Sequence, residues 1–323
     1  MILVTGGSGL LGDALIKTLL AKGKKVRSTF HITPVNIQHP NLEVVQCDLL
    51  DVFAVEDSLH GIDEVYHCAG FVSYSPGMVQ KLYKVNVEGT ANLVNACLNG
   101  SVRKFVHVSS VSALASAAGT LVAEGSPWNK PAGSSAYSKT KYLGEMEVWR
   151  GMAEGLNAVV VNPSVILGYG NWDTGSSALF RNVYNEFPWY SEGVTGFVDV
   201  QDVVNAMILL MESNVSEERF IISAENKSFR EVFNCMAENY ARRAPYKKVT
   251  PFIAGLVWRW EKLRSIFTGR EPVVTKETAK IAFRQTRYDN RRFLEKFPSF
   301  TYTSLRQTIS ESCKAFQQKL NRA

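Results

Sequence analysis

Ile2-Leu3-Val4-Thr5-Gly6-Gly7-Ser8-Gly9-Leu10-Leu11-Gly12 decides the fold. A short apolar run enters glycines spaced three apart. Residues 13–20 then repeat their apolar side chains at intervals of three and four, so the stretch reads as strand, tight turn and helix N-terminus. Gly6 permits the turn, Gly9 lets backbone approach a ligand, and Gly12 lets the helix pack close on the strand. The free N–H groups opening that helix face an anion, expected here to be the pyrophosphate of a dinucleotide, with Leu10 and Leu11 in the same cradle.

Outward from this turn, strand and helix signals alternate. Strands are expected at 24–30, 42–49, 63–70, 104–110 and 157–161, with helices at 51–59, 78–98 and 142–154 between them. This order predicts an α/β fold, a Rossmann-type doubly wound parallel sheet, with a smaller, mostly helical C-terminal region. Residues 1–168 form the nucleotide-binding domain and 169–323 the substrate-binding region, with 196–223 returning to the first. The end of the second strand would face the adenosine ribose, where an acid selects NAD and repels a 2′-phosphate. No acid stands between Gly23 and Asn41, whereas His31, with Arg27 and Thr33 near it, suits a phosphate. NADP(H) is therefore the favoured cofactor, with NAD(H) open. Asp48, followed by Leu49, ends the third strand where it can accept from the adenine amino group. Small Ala69 and Gly70 would let the cofactor cross the fourth strand, and His67 and Cys68 read as core.

The 323 residues hold 36 Lys and Arg against 30 Asp and Glu, a net charge of +6. The excess lies mostly after residue 240 without an aromatic-basic motif, which argues against nucleic acid. Five cysteines, odd in number and without CxxC spacing, read as reduced residues and leave no metal site. The opening core strand leaves no room for a signal peptide, and no apolar run nears membrane-spanning length, so a cytoplasmic protein without an integral membrane segment is expected. Within 252–267 an apolar stripe with basic flanks is expected to pack as a lid over the substrate pocket, with a surface anchor as the alternative.

Two further clusters carry chemistry. Ser109 and Ser110 end the fifth strand, at the carboxyl ends of the strands where doubly wound folds place their sites. After a long Ala, Ser, Gly and Pro-rich stretch at 111–136, Tyr137 and Lys141 stand four apart on one helical face. An ammonium about 4 Å from a phenol, at an effective dielectric near 20, favours the phenolate by about 4 kcal/mol. The spacing thus predicts a Tyr137 acidified toward neutrality.

Together, the glycine turn, Asp48-Leu49, Asn86 in Val-Asn-Val-Glu-Gly-Thr, Ser109-Ser110, Tyr137-xxx-Lys141 and Asn162-Pro163-Ser164 resemble the extended short-chain dehydrogenase/reductase superfamily (NAD-dependent epimerase/dehydratase family). Within it the chain is most similar to the branch of dihydroflavonol 4-reductase and 3β-hydroxysteroid dehydrogenase. The stretches at 168–172, 197–203, 270–275 and 288–290 extend the likeness over nearly the whole length. The resemblance implies that Ser110 holds a substrate carbonyl oxygen, Tyr137 exchanges the proton, Lys141 binds the nicotinamide ribose and tunes Tyr137, and Asn86 positions Lys141 through water. It also implies that Pro163, Ser164 and Val165 line the nicotinamide. Where plant reductases of the branch carry arginine, this chain has His31. The residues from Ala113 to Ala123 are small and mostly apolar, so flavonoid reduction is not implied.

The leading expectation is an NAD(P)H-dependent reductase of a ketone or aldehyde on a small, fairly apolar molecule, and the resemblance implies a homodimer through the helices after Asn86 and Tyr137. Leu143, Met146 and Trp149 would face outward there. A nucleotide-sugar epimerase or dehydratase with tightly held NAD is the second reading. Arg181 is the only basic residue between Arg150 and Arg219, which disfavours a diphosphate substrate. A non-catalytic NADP-binding redox sensor is the third, opposed by the presence of Ser110, Tyr137 and Lys141.

Overall fold

β1 (Ile2–Thr5) is buried along its whole length, as a strand covered by helices on both faces must be. α1 (Leu10–Ala21) follows and turns Leu15, Ile16, Leu19 and Leu20 inward, giving the helix its apolar side. These residues belong to a computed structural model that describes residues 1–114, 121–126, 135–173, 175–268 and 275–321.

The chain continues through β2 (Val26–Phe30), β3 (Leu42–Gln46), α2 (Val52–Ser58) and β4 (Glu64–His67). The helix expected over 78–98 is broken into α3 (Val79–Tyr83), a π-helical turn (Lys84–Glu88) and α4 (Gly89–Asn99). β5 (Lys104–Val108) and the short β6 (Leu121–Val122) precede α5 (Ala136–Ala153). α5 starts six residues before its expected onset because Ser135 caps it, its Oγ accepting from the Ser138 N–H at 3.0 Å. Tyr137 therefore lies in the first helical turn.

β7 (Ala158–Pro163) and β8 (Val165–Leu167) are separated by Ser164. Then come α6 (Ser177–Tyr184), β9 (Trp189–Tyr190), β10 (Val194–Asp199), α7 (Val200–Glu212), β11 (Glu218–Ile222) and β12 (Glu225–Ser228). The C-terminal part holds α8 (Phe229–Tyr240), β13 (Lys247–Lys248), α9 (Pro251–Thr268), α10 (Lys276–Ile281), β14 (Arg287–Tyr288), α11 (Arg291–Lys296) and α12 (Leu305–Leu320).

Seven parallel strands form the central sheet in the order β11-β7-β5-β4-β1-β2-β3. α1 and α7 cover one face and pack on each other, while α2, α4 and α5 cover the other. Within 196–223 the chain divides its allegiance. α7 and β11 join the central layers, but β10 pairs with β8 and β12 in a separate three-stranded sheet, because the chain leaves the central sheet at Ser164. A third apolar cluster, including Phe180, Phe197, Met236 and Phe316, holds α6, α8 and α12 together beyond that small sheet.

The apolar stripe of α9 differs most from expectation. Ala254 is buried, but Phe252 is 75% exposed, Leu256 55% and Trp260 69%, so the part of the stripe from 252 to 260 faces outward rather than closing over a pocket as a lid. Helical spacing reveals a stripe; it does not say which way the stripe turns. Among the described residues, no helix is long and apolar enough to cross a membrane. All five cysteines are free. The residues at 270–274, part of the resemblance, and much of the 111–136 stretch lie outside the described residues.

Candidate active site

Strand order reverses between β1 and β4, and the crevice at such a point is where doubly wound sheets bind ligands. Gly6 turns the chain there with φ +71°, and a Cβ on it would stand 2.7 Å from the Ala69 Cα. A Cβ on Gly12 would meet the Gly6 carbonyl oxygen at 2.3 Å, so only glycine lets α1 come this close. Gly9 closes the turn by donating its N–H to the Gly6 carbonyl at 3.1 Å, and as N-cap it gives α1 no side-chain cap. The opening N–H groups of α1 are thus left for an anion, and the cradle fits a dinucleotide pyrophosphate. Leu11 is a core side chain, so only its backbone faces the cradle, and Leu10 packs toward Gly170.

Just past the end of β2 the exposed His31 imidazole lies 3.5 Å from Asp48. Asp48 also accepts from the Leu50 N–H at 3.0 Å. Arg27 does not join them: its guanidinium bonds Glu43 and the carbonyls of Ser58 and His60, at 2.8–3.0 Å. The carbonyls left free at and just past the end of α2 hold it on that side of the sheet.

Across the crevice, β5 ends at Ser109-Ser110. The Tyr137 phenol lies against the Ser110 and Ser112 hydroxyls, which bond each other at 3.0 Å. Burial pushes the phenol up, against the lowering by these two hydroxyls. The Lys141 ammonium donates to the Val108 carbonyl at 2.8 Å. This bond anchors the Lys141 side chain to the end of β5 and leaves its charge and two further N–H donors in place. Burial brings Lys141 itself down to about 8, with Glu145 and Cys68 acting upward.

Asn86 sits in the π-helical turn, a distortion common at functional sites. Its Oδ1 accepts from the Phe71 N–H at 2.7 Å, and its Nδ2 donates to the Phe71 carbonyl and the Thr140 hydroxyl. Gly144 of α5 admits the turn, since a Cβ there would lie 2.1 Å from the Asn86 carbonyl oxygen. A Cβ on Gly70 would have Asn86 Oδ1 at 3.5 Å and Lys141 Nζ at 3.7 Å, so these two polar groups flank one point of the crevice. Pro163 closes β7 and Val165 opens β8, with the buried Ser164 hydroxyl between them lacking a partner among the described residues. Leu49 packs against Gly89 at the far end of the π-helical turn.

A buried chain ties the two sides together. The Ala69 N–H donates to Thr5 Oγ1, which bonds His67 Nδ1 at 2.7 Å; His67 Nε2 bonds Thr90 Oγ1 at 3.0 Å; and Thr90 donates to the Asn86 carbonyl. Thr90 spends its proton on Asn86, so the ring must carry its own on Nε2, a tautomer assigned by the partners around it. His67 is thus neutral, a structural group as expected, and burial lowers it to about 3. His107, stacked 5.2 Å away, is lowered well below its usual value by the same burial. The unfolded chain binds protons near 6.5 that these rings refuse when folded, so stability falls as pH drops from about 6.5 toward 3. Urea unfolding at successively lower pH should show a falling midpoint over that window.

Several contributors escaped the sequence reading. Ser112 is one, two residues beyond Ser110. Tyr74 packs edge-on against Tyr137 with ring centroids 5.7 Å apart. Glu145 is fully buried one turn past Lys141. Its carboxylate accepts from Arg219 at 3.0 Å, Trp149 at 3.2 Å and Asn162 at 2.8 Å. Asn162 in turn donates to the Ser110 carbonyl at 3.1 Å. The four-residue step from Lys141 to Glu145 was the available signal, but such a step reads as a surface ion pair.

With this geometry in place, likeness to known proteins takes on meaning. The chain is 28% identical to sterol demethylase protein B of Methylococcus capsulatus, over 98% of each chain. It is 27% identical to a putative dihydroflavonol 4-reductase of Synechocystis, over 97% of this chain and 94% of that one. The crystal structure of gox2253 superposes with a TM-score of 0.83 at 26% identity, covering 99% of this chain and 98% of that one. The NAD dependent epimerase/dehydratase family model matches residues 2–223, from β1 through β11 with the cradle and Tyr137-xxx-Lys141 inside it, and the chain belongs to that family.

Proposed function

We propose that the protein reduces a ketone or aldehyde on a small, fairly apolar molecule, using a reduced nicotinamide dinucleotide. The observation that carries this reading is the meeting of the Tyr137 phenol with the Ser110 and Ser112 hydroxyls at the end of β5, across the crevice from the uncapped start of α1. A nicotinamide bound there supplies the hydride. Ser110 holds the carbonyl oxygen and donates to it as negative charge develops. Tyr137 delivers the proton to that oxygen, refilled through the hydroxyls it touches. Lys141 holds the nicotinamide ribose, Asn86 keeps the Lys141 side of the crevice in shape, and Pro163, Ser164 and Val165 line the nicotinamide.

For the adenosine end we propose NADP(H) over NAD(H). Of the two basic side chains the sequence offers there, Arg27 is committed elsewhere and His31 remains, so the preference rests on His31. Asp48 and Leu49 border the adenine. A homodimer through α4 and α5 is part of the same proposal, and light scattering tests it.

Arg181 weighs against the epimerase or dehydratase reading. Its guanidinium is paired with Asp173, so the basic group best placed in sequence to meet a sugar diphosphate is already neutralised. Separate titrations with NADPH and NADH, followed by a panel of carbonyl compounds monitored by loss of reduced-nicotinamide absorbance, test the reading. Turnover of an apolar ketone or aldehyde with NADPH is expected. Tightly bound NAD surviving purification, with sugar-nucleotide conversion, would replace it by the epimerase reading. Dinucleotide binding without turnover of any carbonyl would favour the sensor.

A further inference from the structure

The outward face of α9 has no role in the crevice. Phe252, Leu256 and Trp260 follow one another at four-residue steps, Val257 lies beside them, and all four are exposed. The opposite side of the helix carries the buried Ala254. A contiguous exposed patch of large apolar side chains is uncommon on a protein that meets only water.

Charge decides what fits this face. Residues 241–270 hold eight Lys and Arg against one acid, Glu261. This tenth of the chain thus has a surplus of seven, more than the +6 of the whole. Arg242, Arg243, Lys247 and Lys248 are exposed immediately ahead of α9, Lys248 paired with the half-exposed Glu192, and exposed Arg259 and Arg264 lie along it, Arg264 at 3.3 Å from Glu261. Several of these cations stack on aromatic rings: Arg243 on Tyr246 at 3.8 Å, Lys247 on Trp189 at 5.4 Å and Arg259 on Trp258 at 4.7 Å. The stacking keeps their stems on the protein and their charge at its surface.

We propose that α9 lies on an anionic bilayer surface, with Phe252, Leu256 and Trp260 inserted at the level of the headgroups and the surrounding cations against lipid phosphates. Exposed aromatic and aliphatic side chains on a helix set among Arg and Lys form the pattern of interfacial helices. A second copy of this chain is a poor occupant, because it would bring the same positive surplus against itself. The surface also connects to the crevice: α9 packs on α10, whose Glu277 has a buried carboxylate oxygen without a hydrogen-bond partner among the described residues. That carboxylate, after burial and the Tyr137 phenol, helps push up the phenol of Tyr74, the ring packed against Tyr137. The inference stands apart from the reductase reading.

The full chain should sediment with phosphatidylcholine vesicles containing phosphatidylglycerol, far less with phosphatidylcholine alone, and less as salt is raised. Phe252→Ser with Trp260→Ser should weaken vesicle binding by at least about tenfold while the far-ultraviolet circular dichroism and dinucleotide affinity stay unchanged. Lys247→Glu with Lys248→Glu should abolish the preference for anionic vesicles. No sedimentation with anionic vesicles, or binding indifferent to both pairs of substitutions, overturns the proposal. So does a concentration-dependent dimer that Phe252→Ser dissolves, since the face would then belong to a second copy.

Discussion

Tyr137→Phe should lower kcat by about 100-fold to 10,000-fold, the range for removing a positioned acid or base. That corresponds to about 3–5 kcal/mol of transition-state stabilisation. Only a hydroxyl is lost. The ring keeps its edge-on contact with Tyr74, and the Ser110 and Ser112 hydroxyls keep their bond to each other. The cradle at Gly6, Gly9 and Gly12 belongs to other elements, so dinucleotide affinity should hold. Steady-state rates and a fluorescence titration of the cofactor separate the two effects. A variant with nearly full turnover would remove Tyr137 from the chemistry and take the reductase proposal with it.

Glu145→Ala should cost about 3–5 kcal/mol of stability, because removing one member of a buried ion pair leaves the other charge uncompensated. Arg219 would lose its carboxylate, and Trp149 and Asn162 would lose an acceptor. In a chain of this size the loss lowers Tm by roughly 5 °C or more. Glu145→Gln keeps the shape and should lose less. A second readout separates packing from electrostatics. Burial brings the Lys141 ammonium down to about 8, and the Glu145 carboxylate is the leading influence that opposes it. The ammonium is present below that pH and lost above it, so kcat/KM should decline as pH rises through about 8. Without Glu145 the ammonium is lost at lower pH, and the alkaline limb in Glu145→Gln should move down. A role confined to packing would lower Tm and leave the limb in place.

What the sequence made legible was local. The glycine turn, the alternation of strand and helix, and the Tyr137-to-Lys141 step each depend on residues within a few positions, where backbone geometry fixes the outcome. What anchors Lys141 was not legible, for a distant reason: the Val108 carbonyl that accepts from its ammonium lies 33 residues away. Arg27 was misread in the same way, its acceptors being Glu43 and the end of α2. Glu145 stayed hidden because its main charge partner, Arg219, is 74 residues away. The stripe of α9 was found by its period, but its facing depends on what packs beneath it.

The hydrogen-bonded file from Thr5 through His67 and Thr90 to Asn86 has a bearing on how the crevice comes into being. Its members come from β1, β4, α4 and the π-helical turn, segments more than eighty residues apart at the extremes. Each link is polar and shut away from water, so a partly assembled file would strand a donor or an acceptor in the interior. The two banks of the crevice are therefore expected to set in one all-or-none event, leaving no folded species that owns the glycine turn but lacks the opposite wall.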